Sequence, residues 1–257
     1  MPFIDKHPDG SFCWMELSTS DPIAAKQFYS SLFGWEINDQ DMGPAGVYTI
    51  FRLKGRDCAA AVKSHCKDVP PHWALYLATS NVEAASKKVT ELGGKLDLGP
   101  FDAGEYGRMS VVQDPEGAHF CLWQAMKSPG IGITAEDGAF CWADLMVPNR
   151  ESARKFYTDL FGWTLVAGDG KLESGYWHIE NGQEMIGGMP PSEFMRPGMP
   201  PHWSVYYQVG DCEASTEKGR RLGAKVYVPP MKIEGAGVMS VIADPQGAVF
   251  SLFQSTM

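Results

Sequence analysis

The sequence lacks any apolar run long enough to cross a membrane, and it is poor in basic residues. Of 257 residues, 22 are Lys or Arg and 31 are Asp or Glu, which gives a formal net charge of −9. A negatively charged surface repels nucleic acid and anionic lipid, so we expect neither as the main partner. The N-terminal residues also lack the basic-then-apolar pattern of a secretory signal, which predicts a cytoplasmic protein.

Cysteine pairs with CxxC spacing are absent as well. The six cysteines stand singly, most of them inside apolar, strand-like runs. This pattern favours free buried thiols in a reducing compartment over a disulfide framework. The residues are Cys13, Cys58, Cys66, Cys121, Cys141 and Cys212.

The sequence does contain a long internal repeat. Residues 12–35 read FCWMELSTSDPIAAKQFYSSLFGW, and residues 140–163 read FCWADLMVPNRESARKFYTDLFGW, so Phe12 returns as Phe140 after 128 residues. Two later segments repeat in the same order, one opening with PPHW and one containing DP-x-GA. A period this long indicates two copies of a whole domain rather than a solenoid unit.

The repeat sets the predicted domain boundaries. With 44% hydrophobic and 21% charged residues, the composition is that of a globular protein, and each copy is long enough to bury a core. We predict a first domain over 1–126 and a second over 139–257. The linker between them, 127–138, is glycine-rich and has no hydrophobic periodicity.

Each copy predicts the same order of elements, βαβββ repeated twice. In the first copy an alternating strand ends near Leu17, and Asp21 can cap a helix that Gly34 ends. Apolar residues at helical spacing mark the buried stripe of this helix. The strand Lys95–Leu98 is predicted to be short. The fold class is therefore α+β, with four βαβββ units in two tandem domains.

Three motifs in order carry a family resemblance, and they recur in the second half with Asn149 in place of the first aspartate. They are D-x-x-x-A-x-x-FY-x-x-LFGW, HW-x-x-Y and DP-x-GA-x-F-x-L-x-Q. Together they resemble the vicinal oxygen chelate superfamily, which holds glyoxalase I, bleomycin resistance proteins and extradiol dioxygenases, and most of all its fused two-domain glyoxalase-like branch. The resemblance implies open, U-shaped sheets around cavities, with the two domains packed about an internal pseudo-twofold axis.

The resemblance also implies a divalent metal, held by His, Gln or Glu side chains on the first and last strands of each unit. Apart from one histidine in each domain, the residues at those positions are poor ligands. We therefore expect no metal cofactor, with a divalent metal as the alternative if His178 or Glu180 supplies relocated ligands. The positions fall on Trp14, Ala60 or Ala61, His72 and Cys121, and on Trp142, Gly187 or Gly188, His202 and Ser251.

Strand alternation points to metal-free chemistry at the same cavities. Glu16 shares a strand face with Trp14, and His72 shares one with Tyr76, so a carboxylate, an imidazole and a phenol could converge and perform acid–base catalysis. The candidate catalytic residues are Glu16, His72, Asp144 and His202. The candidate ligand-binding residues are Trp14, Tyr76, Arg108, Cys121, Trp142, Tyr206 and Ser251.

Structural roles remain open for several of these residues. The carboxylates could cap loops, the histidines could be satisfied in the structure, and Arg108 could be a solvated loop residue. Cys121 lies at a cavity-facing position without an evident activating base, which favours inert packing. The two halves also differ, because Arg108 has no twin, His119 becomes Val249 and Cys121 becomes Ser251, so the two pockets are expected to be unequal.

Two functional hypotheses follow from the sequence. The first is a metal-independent, lyase- or isomerase-type glyoxalase-like enzyme that detoxifies a reactive metabolite by acid–base chemistry. The second is a resistance-type protein that sequesters a planar aromatic ligand without chemistry. A metal-dependent lyase or dioxygenase with relocated ligands is a third. In each case the partner is a small molecule, and the chain is a monomer that acts as a pseudo-dimer, or a homodimer.

Overall fold

The computed structural model describes residues 3–64, 68–168 and 175–256. In the first domain the elements are β1 (Phe12–Thr19), α1 (Pro22–Phe33), β2 (Glu36–Asp41), β3 (Val47–Leu53), β4 (Arg56–Lys63), β5 (His72–Ala78), α2 (Val82–Glu91), β6 (Lys95–Ala103), β7 (Gly107–Gln113) and β8 (His119–Ala125). In the second they are β9 (Phe140–Met146), α3 (Arg150–Phe161), β10 (Thr164–Ala167), β11 (Trp177–Asn181), β12 (Glu184–Met189), β13 (His202–Gln208), α4 (Cys212–Arg221), β14 (Lys225–Ile233), β15 (Gly237–Ala243) and β16 (Val249–Ser255).

Each domain forms one eight-stranded sheet, and the two sheets share a single topology. The strand orders are β2-β3-β4-β1-β5-β8-β7-β6 and β10-β11-β12-β9-β13-β16-β15-β14. Two βαβββ units meet at the antiparallel pair β1–β5 in the first sheet and at β9–β13 in the second. The predicted α+β class, with four βαβββ units in two tandem domains, is confirmed. We call the side of each sheet that carries the helices the helix face, and the opposite side the open face.

Helix α1 begins and ends where its sequence predicts. The side chain of Asp21 accepts hydrogen bonds from the backbone N–H groups of Ile23 and Ala24, and Gly34 ends the helix at a φ of 74°. A left-handed conformation at this position favours glycine because it has no Cβ. The buried stripe is the predicted one, Ala25, Phe28, Tyr29 and Leu32.

Strand β6 is longer than the sequence predicts. It runs over Lys95–Ala103 instead of ending at Leu98, with register shifts on either side of Leu98. These irregularities carry the strand past Gly99 and Pro100. Proline cannot donate to a ladder and is tolerated at a bulge or on an edge strand, and β6 is the edge of its sheet.

The segment between the domains packs as an ordered part of the first sheet. The Ile131 N–H donates to the Cys13 carbonyl at 2.7 Å, and the Gly132 N–H donates to the Asp57 carbonyl at 2.8 Å. Strands β1 and β4 pair directly only from Glu16 onward. Before that point, the linker residues lie between the two strands and bond to both. The segment lacks periodicity, yet backbone hydrogen bonds fix its position.

The helices α1 and α3 pack across the domain boundary in a reciprocal way. The Tyr29 hydroxyl of α1 donates to Asp244 at 3.0 Å, and the Tyr157 hydroxyl of α3 donates to Asp114 at 3.1 Å. The two tryptophans of the LFGW motifs repeat the exchange, since each indole N–H donates to a carbonyl near the start of the other domain, at Gly138 and Gly10. These paired contacts relate the domains by an internal pseudo-twofold.

The aspartates in this interface predict a dependence of stability on pH. Desolvation raises the pKa of Asp114 to about 6, although backbone N–H groups and Tyr157 lower it. The pKa of an aspartate in the unfolded chain is about 3.9, so Asp114 binds its proton more tightly in the folded state than in the unfolded state. Its contribution to stability is present below about pH 4 and is lost as pH rises to about 6, at most on the order of 2–3 kcal/mol. Urea unfolding at pH 4.5 and pH 7 should show a smaller pH difference in Asp114→Asn than in the wild type, and an equal difference would contradict this.

The cysteines that the structure describes are free, as predicted. Cys13, Cys58, Cys121 and Cys212 are buried and Cys141 is partly buried, whereas Cys66 lies outside the described residues. None of the helices in the described ranges has the length and apolarity needed to cross a membrane.

Candidate functional site

The carboxylate of Glu16 stands on the open face of the first sheet between two small residues. Glu16 is in register with Ala60 on β4 and with Ala74 on β5. Residues in register on neighbouring strands point to one face, so the two side chains directly beside Glu16 are each a single methyl group. Both Glu16 and Ala74 are only half-buried. The carboxylate therefore lies in a hollow that opens towards Ala74.

Two tyrosines hold this carboxylate. The Tyr48 hydroxyl donates to Oε2 at 2.6 Å, and the Tyr76 hydroxyl donates to Oε1 at 3.1 Å. The Trp14 indole N–H in turn donates to the Tyr48 oxygen at 3.0 Å. Desolvation raises the pKa of Glu16, although the two tyrosine hydrogen bonds lower it. The result is a carboxyl group whose pKa is displaced towards neutrality and whose orientation is fixed.

The second domain repeats the cluster around Asp144 in a more closed form. The Tyr176 hydroxyl donates to Oδ1 at 2.5 Å, Trp142 donates to the same oxygen at 3.1 Å, and Tyr206 donates to Oδ2 at 2.7 Å. Desolvation raises the pKa of this carboxyl too. Asp144 is only 5% exposed. A shorter acidic side chain with three donors leaves less of the carboxylate for a ligand than the first domain does.

Close approach of Tyr176 depends on a glycine. A Cβ added to Gly188 would lie 1.7 Å from the Tyr176 hydroxyl oxygen. Gly188 is the register neighbour of Asp144, at the place that Ala60 occupies beside Glu16. The phenol of Tyr176 therefore lies where a larger residue on β12 would project.

The tyrosines Tyr48 and Tyr176 belong to the two clusters, and the sequence did not predict them there. The signal was present, because the same shift of 128 residues that relates Glu16 to Asp144 also relates Tyr48 to Tyr176. This part of the repeat lies outside the three motifs, in β3 and just before β11. Of the expected carboxylate, imidazole and phenol, the carboxylate and the phenol of Tyr76 or Tyr206 come together in both domains. The imidazoles of His72 and His202 bond to backbone carbonyls instead.

The predicted histidines lie at the rim of each hollow. His72 is in register with Ser18, two positions beyond the Glu16–Ala74 pair and therefore on the same face, and its side chain is exposed. Its charge lowers the pKa of Glu16, as the smallest of four influences. The Nδ1 atoms of His72 and His202 lie 2.9 and 2.8 Å from the carbonyls of Pro70 and Pro200. A carbonyl can only accept, so Nδ1 carries the proton and Nε2 is the basic nitrogen.

Arg108 does not reach the hollow, which corrects its predicted position near a pocket. Its guanidinium pairs with Glu83 of α2 and with Asp102, the latter at 2.5 Å. Alternation along β7 explains the difference, because Val111, the register partner of the open-face residue Cys121, has opposite parity to Arg108. Arg108 therefore points to the helix face.

Cys121 and Ser251 occupy equivalent places beside the two clusters. Each is in register with the tyrosine on the neighbouring strand, Tyr76 or Tyr206, and each is nearly fully buried. Burial raises the pKa of the Cys121 thiol above its usual range, and the charge of Glu16 adds to the effect. A thiol held in its neutral form packs against the cluster and is a poor nucleophile.

The residues of the open faces do not fit the metal that the fold family implies. Within the described ranges no three His, Cys, Asp or Glu side chains gather in a group that could hold an ion. In the second domain Asp144 and His178 lie at one level with Gly188 between them. Both oxygens of Asp144 already accept hydrogen bonds from phenols or indole. Two ligands, one of them engaged, fall short of the three protein ligands typical of catalytic zinc sites.

Comparison with known families assigns both halves of the chain. Residues 14–123 match the model described as a glyoxalase-like domain, and residues 139–252 match the one described as the glyoxalase/bleomycin resistance protein/dioxygenase superfamily. The chain belongs to this superfamily. Its two-domain arrangement is that of the fused glyoxalase-like members.

Relatives of similar length carry two kinds of name. The chain is 35% identical over 260 residues to "Putative glyoxylase CFP32" of Mycobacterium tuberculosis, an alignment that covers 99% of this superfamily member and 98% of that protein. It is 30% identical over 265 residues to "Anthracycline biosynthesis protein DauV" of Streptomyces sp. strain C5, covering 95% and 93% of the two.

Solved structures support the fold. The Mn(II)-bound glyoxalase of Novosphingobium aromaticivorans aligns with a TM-score of 0.66 at 18% identity, covering 96% of this chain and 82% of that one. The 2,3-dioxygenase LapB of Pseudomonas sp. KL28 aligns with a TM-score of 0.63 at 14% identity, covering 96% and 93%. At these identities the likeness concerns the fold alone.

Proposed function

We propose that this superfamily member is an enzyme that moves protons on a small carbonyl compound at Glu16, without a metal as Lewis acid. Detoxification of a reactive metabolite is the role that this chemistry suits. The observation that carries the proposal is the half-buried Glu16 carboxylate, which stands between Ala60 and Ala74 and is held by two tyrosine hydroxyls.

The cluster has the parts needed to remove a proton next to a carbonyl group. A carboxylate with a raised pKa is a stronger base than an ordinary one, and its fixed orientation favours proton transfer. The hydroxyls of Tyr48 and Tyr76 are hydrogen-bond donors beside it. When Glu16 takes a proton it becomes a weaker acceptor, so these donors can turn to the negative oxygen of an enolate.

The first domain is the better candidate for this chemistry. Glu16 accepts two hydrogen bonds and keeps a half-buried position, whereas Asp144 accepts three and is 5% exposed. The rim residue His72 adds a basic Nε2 near the opening of the same hollow. The glyoxylase name of one relative agrees with chemistry on small carbonyl compounds.

A second candidate is sequestration of a planar aromatic ligand. It is favoured by a row of apolar side chains on the open face, Phe101, Met109 and Trp123, which are in register on β6, β7 and β8. The Trp123 indole donates to the Ser128 carbonyl at 3.1 Å and packs over Gly107, where an added Cβ would lie 2.4 Å from the ring. A fixed, half-buried indole can stack on an aromatic ligand. The anthracycline name of another relative agrees with this candidate.

Proton exchange in D₂O tests the proposal. The probes are hydroxyacetone, 2-hydroxyacetophenone and the adduct of methylglyoxal with 2-mercaptoethanol, each incubated with the chelator-treated protein and followed by ¹H NMR. We expect the proton next to the carbonyl to exchange faster with protein than in buffer for at least one probe. Binding of 2-hydroxyacetophenone without enhanced exchange of any probe would favour sequestration and reject the enzyme.

A further inference from the structure

The two open faces place a histidine at opposite flanks of the carboxylate. In the first sheet the parallel register of β5 and β8 begins at Tyr76–Cys121. Continued two residues back along both strands, this register places His119 beside Ala74, which pairs with Glu16. In the second sheet the order across the strands is Asp144, Gly188, His178. Each carboxylate therefore has a histidine at its own level, beyond one small residue.

The repeat conceals this arrangement because the histidines are not equivalent. His119 corresponds to Val249, and His178 corresponds to Ile50, at the same levels of the two sheets. The first sheet takes its histidine from β8, on the side of the hollow that opens at Ala74. The second takes its histidine from β11, on the side that Tyr176 covers.

His119 is held at Nε2 by two side chains. The amide nitrogen of Gln113 lies 2.9 Å from this nitrogen. The carboxylate of Asp97 lies 3.2 Å from it and accepts the Nε2–H of the imidazolium and of the neutral tautomer, so the proton that comes and goes is the one on Nδ1. The amide of Gln113 also donates to Asp97 at 2.7 Å, which orients that carboxylate. No described residue hydrogen-bonds Nδ1 of His119, so this nitrogen is left for a substrate.

Asp97 is suited to this role because it stays charged. Desolvation raises its pKa, but hydrogen bonds from Lys95 and Gln113 outweigh that effect and lower it overall. The Lys95 ammonium lies 2.6 Å from the other oxygen of Asp97. The second sheet has no such group, since Ala243 and Val249 stand at the places of Gln113 and His119.

We propose that His119 is the second acid–base residue of the Glu16 site, with Asp97 and Gln113 as its positioning residues. The two groups stand on strands separated by β5, about 10 Å apart at the backbone, so a substrate fits between them over Ala74. The inference rests on the proposed function and names its substrate class, an α-hydroxycarbonyl or α-oxoaldehyde adduct, in which proton donor and acceptor act at adjacent atoms.

The proposed step balances without a further reactant. The Glu16 carboxylate takes the proton from the carbon next to the carbonyl, and the C–H electron pair forms a C=C bond. The carbonyl electron pair moves to its oxygen, which takes a proton from the His119 imidazolium and gives an enediol. Neutral His119 then removes the proton of the neighbouring hydroxyl, Glu16 returns its proton to the former carbonyl carbon, and both side chains regain their starting states. The net reaction is an isomerisation.

The natural difference between the domains supplies a matched pair of variants. His119→Val installs the residue that the second sheet carries at this level, and His178→Ile installs the residue that the first sheet carries. Both replacements are therefore compatible with this fold. Exchange in D₂O is measured on whichever of the three probes the wild type exchanges fastest. We expect His119→Val to lower the rate about 10²-fold, which is at the lower end of the effect of an acid–base group. His178→Ile should change it less than about 2-fold.

Combination with Glu16→Gln tests whether the two groups act together. When two residues act as one acid–base pair, removing either one already abolishes most of their joint effect on the rate. The double variant should therefore be little slower than the slower single variant. Asp97→Asn should lower the rate less than His119→Val and should shift the pH at which the rate is half-maximal, which a merely structural role would not do.

The outcomes separate the inference from the function on which it rests. No enhanced exchange in the wild type rejects the proposed function and the inference together. Exchange that disappears in Glu16→Gln but persists in His119→Val rejects the inference alone. If exchange is lost in His178→Ile and retained in His119→Val, the active pair lies in the second domain, and the assignment to the first is overturned.

Discussion

Replacing Glu16 by glutamine is expected to lower the rate of proton exchange by about 10²–10⁴-fold, which is the range that a general base contributes. Glutamine keeps the size of the side chain and one oxygen that can accept from Tyr48 or Tyr76, but it cannot take a proton. Binding of the probe should change far less than turnover, since the shape of the hollow beside Ala74 is retained. The two quantities are measured by NMR exchange and by tryptophan fluorescence.

The dependence of the wild-type rate on pH gives an independent check of the same residue. Desolvation raises the pKa of Glu16, and the ionised form is the base, so the rate should rise with pH through a midpoint above the ordinary value of about 4.3. Glu16→Gln should lack this rising limb. Glu83→Gln is the matched control, because Glu83 pairs with Arg108 on the helix face of the same sheet, and it should keep both rate and profile. An unchanged rate in Glu16→Gln would exclude this carboxylate as the base.

Gly130→Ala is expected to lower the free energy of unfolding by about 3 kcal/mol or more, from backbone strain and overpacking combined. Gly130 has a φ of 117°, and an added Cβ would lie 2.1 Å from the backbone oxygen of Cys13. That oxygen also accepts the Ile131 N–H, so neither β1 nor the linker can move away without losing a hydrogen bond. Urea unfolding monitored by tryptophan fluorescence measures the loss.

The control for this variant isolates the steric contact from the backbone strain. Gly117 has a φ of 98°, yet an added Cβ would meet no atom within 4 Å. Gly117→Ala should therefore cost about 1–2 kcal/mol through strain alone. Equal losses in the two variants would mean that the linker yields to the new methyl group and is not fixed against β1.

The sequence predicts the fold well because local signals and the repeat agree. The caps at Asp21 and Gly34, the helix stripe and the strand alternation each follow from short-range chemistry, and each occurs twice. Strand β6 was underestimated because glycine and proline normally end a strand, whereas an edge position with register shifts tolerates them. Whether a strand lies at the edge of its sheet depends on the strands beside it, which the local sequence does not reveal.

The candidate site was only partly predictable for a related reason. Alternation along β1 placed Glu16 correctly beside Trp14, because both belong to one strand. Residues that meet across strands require the register, which fixes Ala74 beside Glu16 and brings His119 to the same level. The prediction that Arg108 lies near a pocket was wrong because the register of β7 was not known. A shift of one residue along a strand moves a side chain to the opposite face, and Arg108 lies on the helix face.

The exchange of helix contacts between the domains has a consequence for the history of the chain. Tyr29 and Tyr157 each bury a hydroxyl against an aspartate of the other half, so neither half completes its own core. A single ancestral copy would have needed a second copy of itself to supply the same partner. In a single chain the two copies stay at a fixed one-to-one ratio, and each can change separately. The histidines on opposite flanks of the two carboxylates are a difference that two identical subunits could not have.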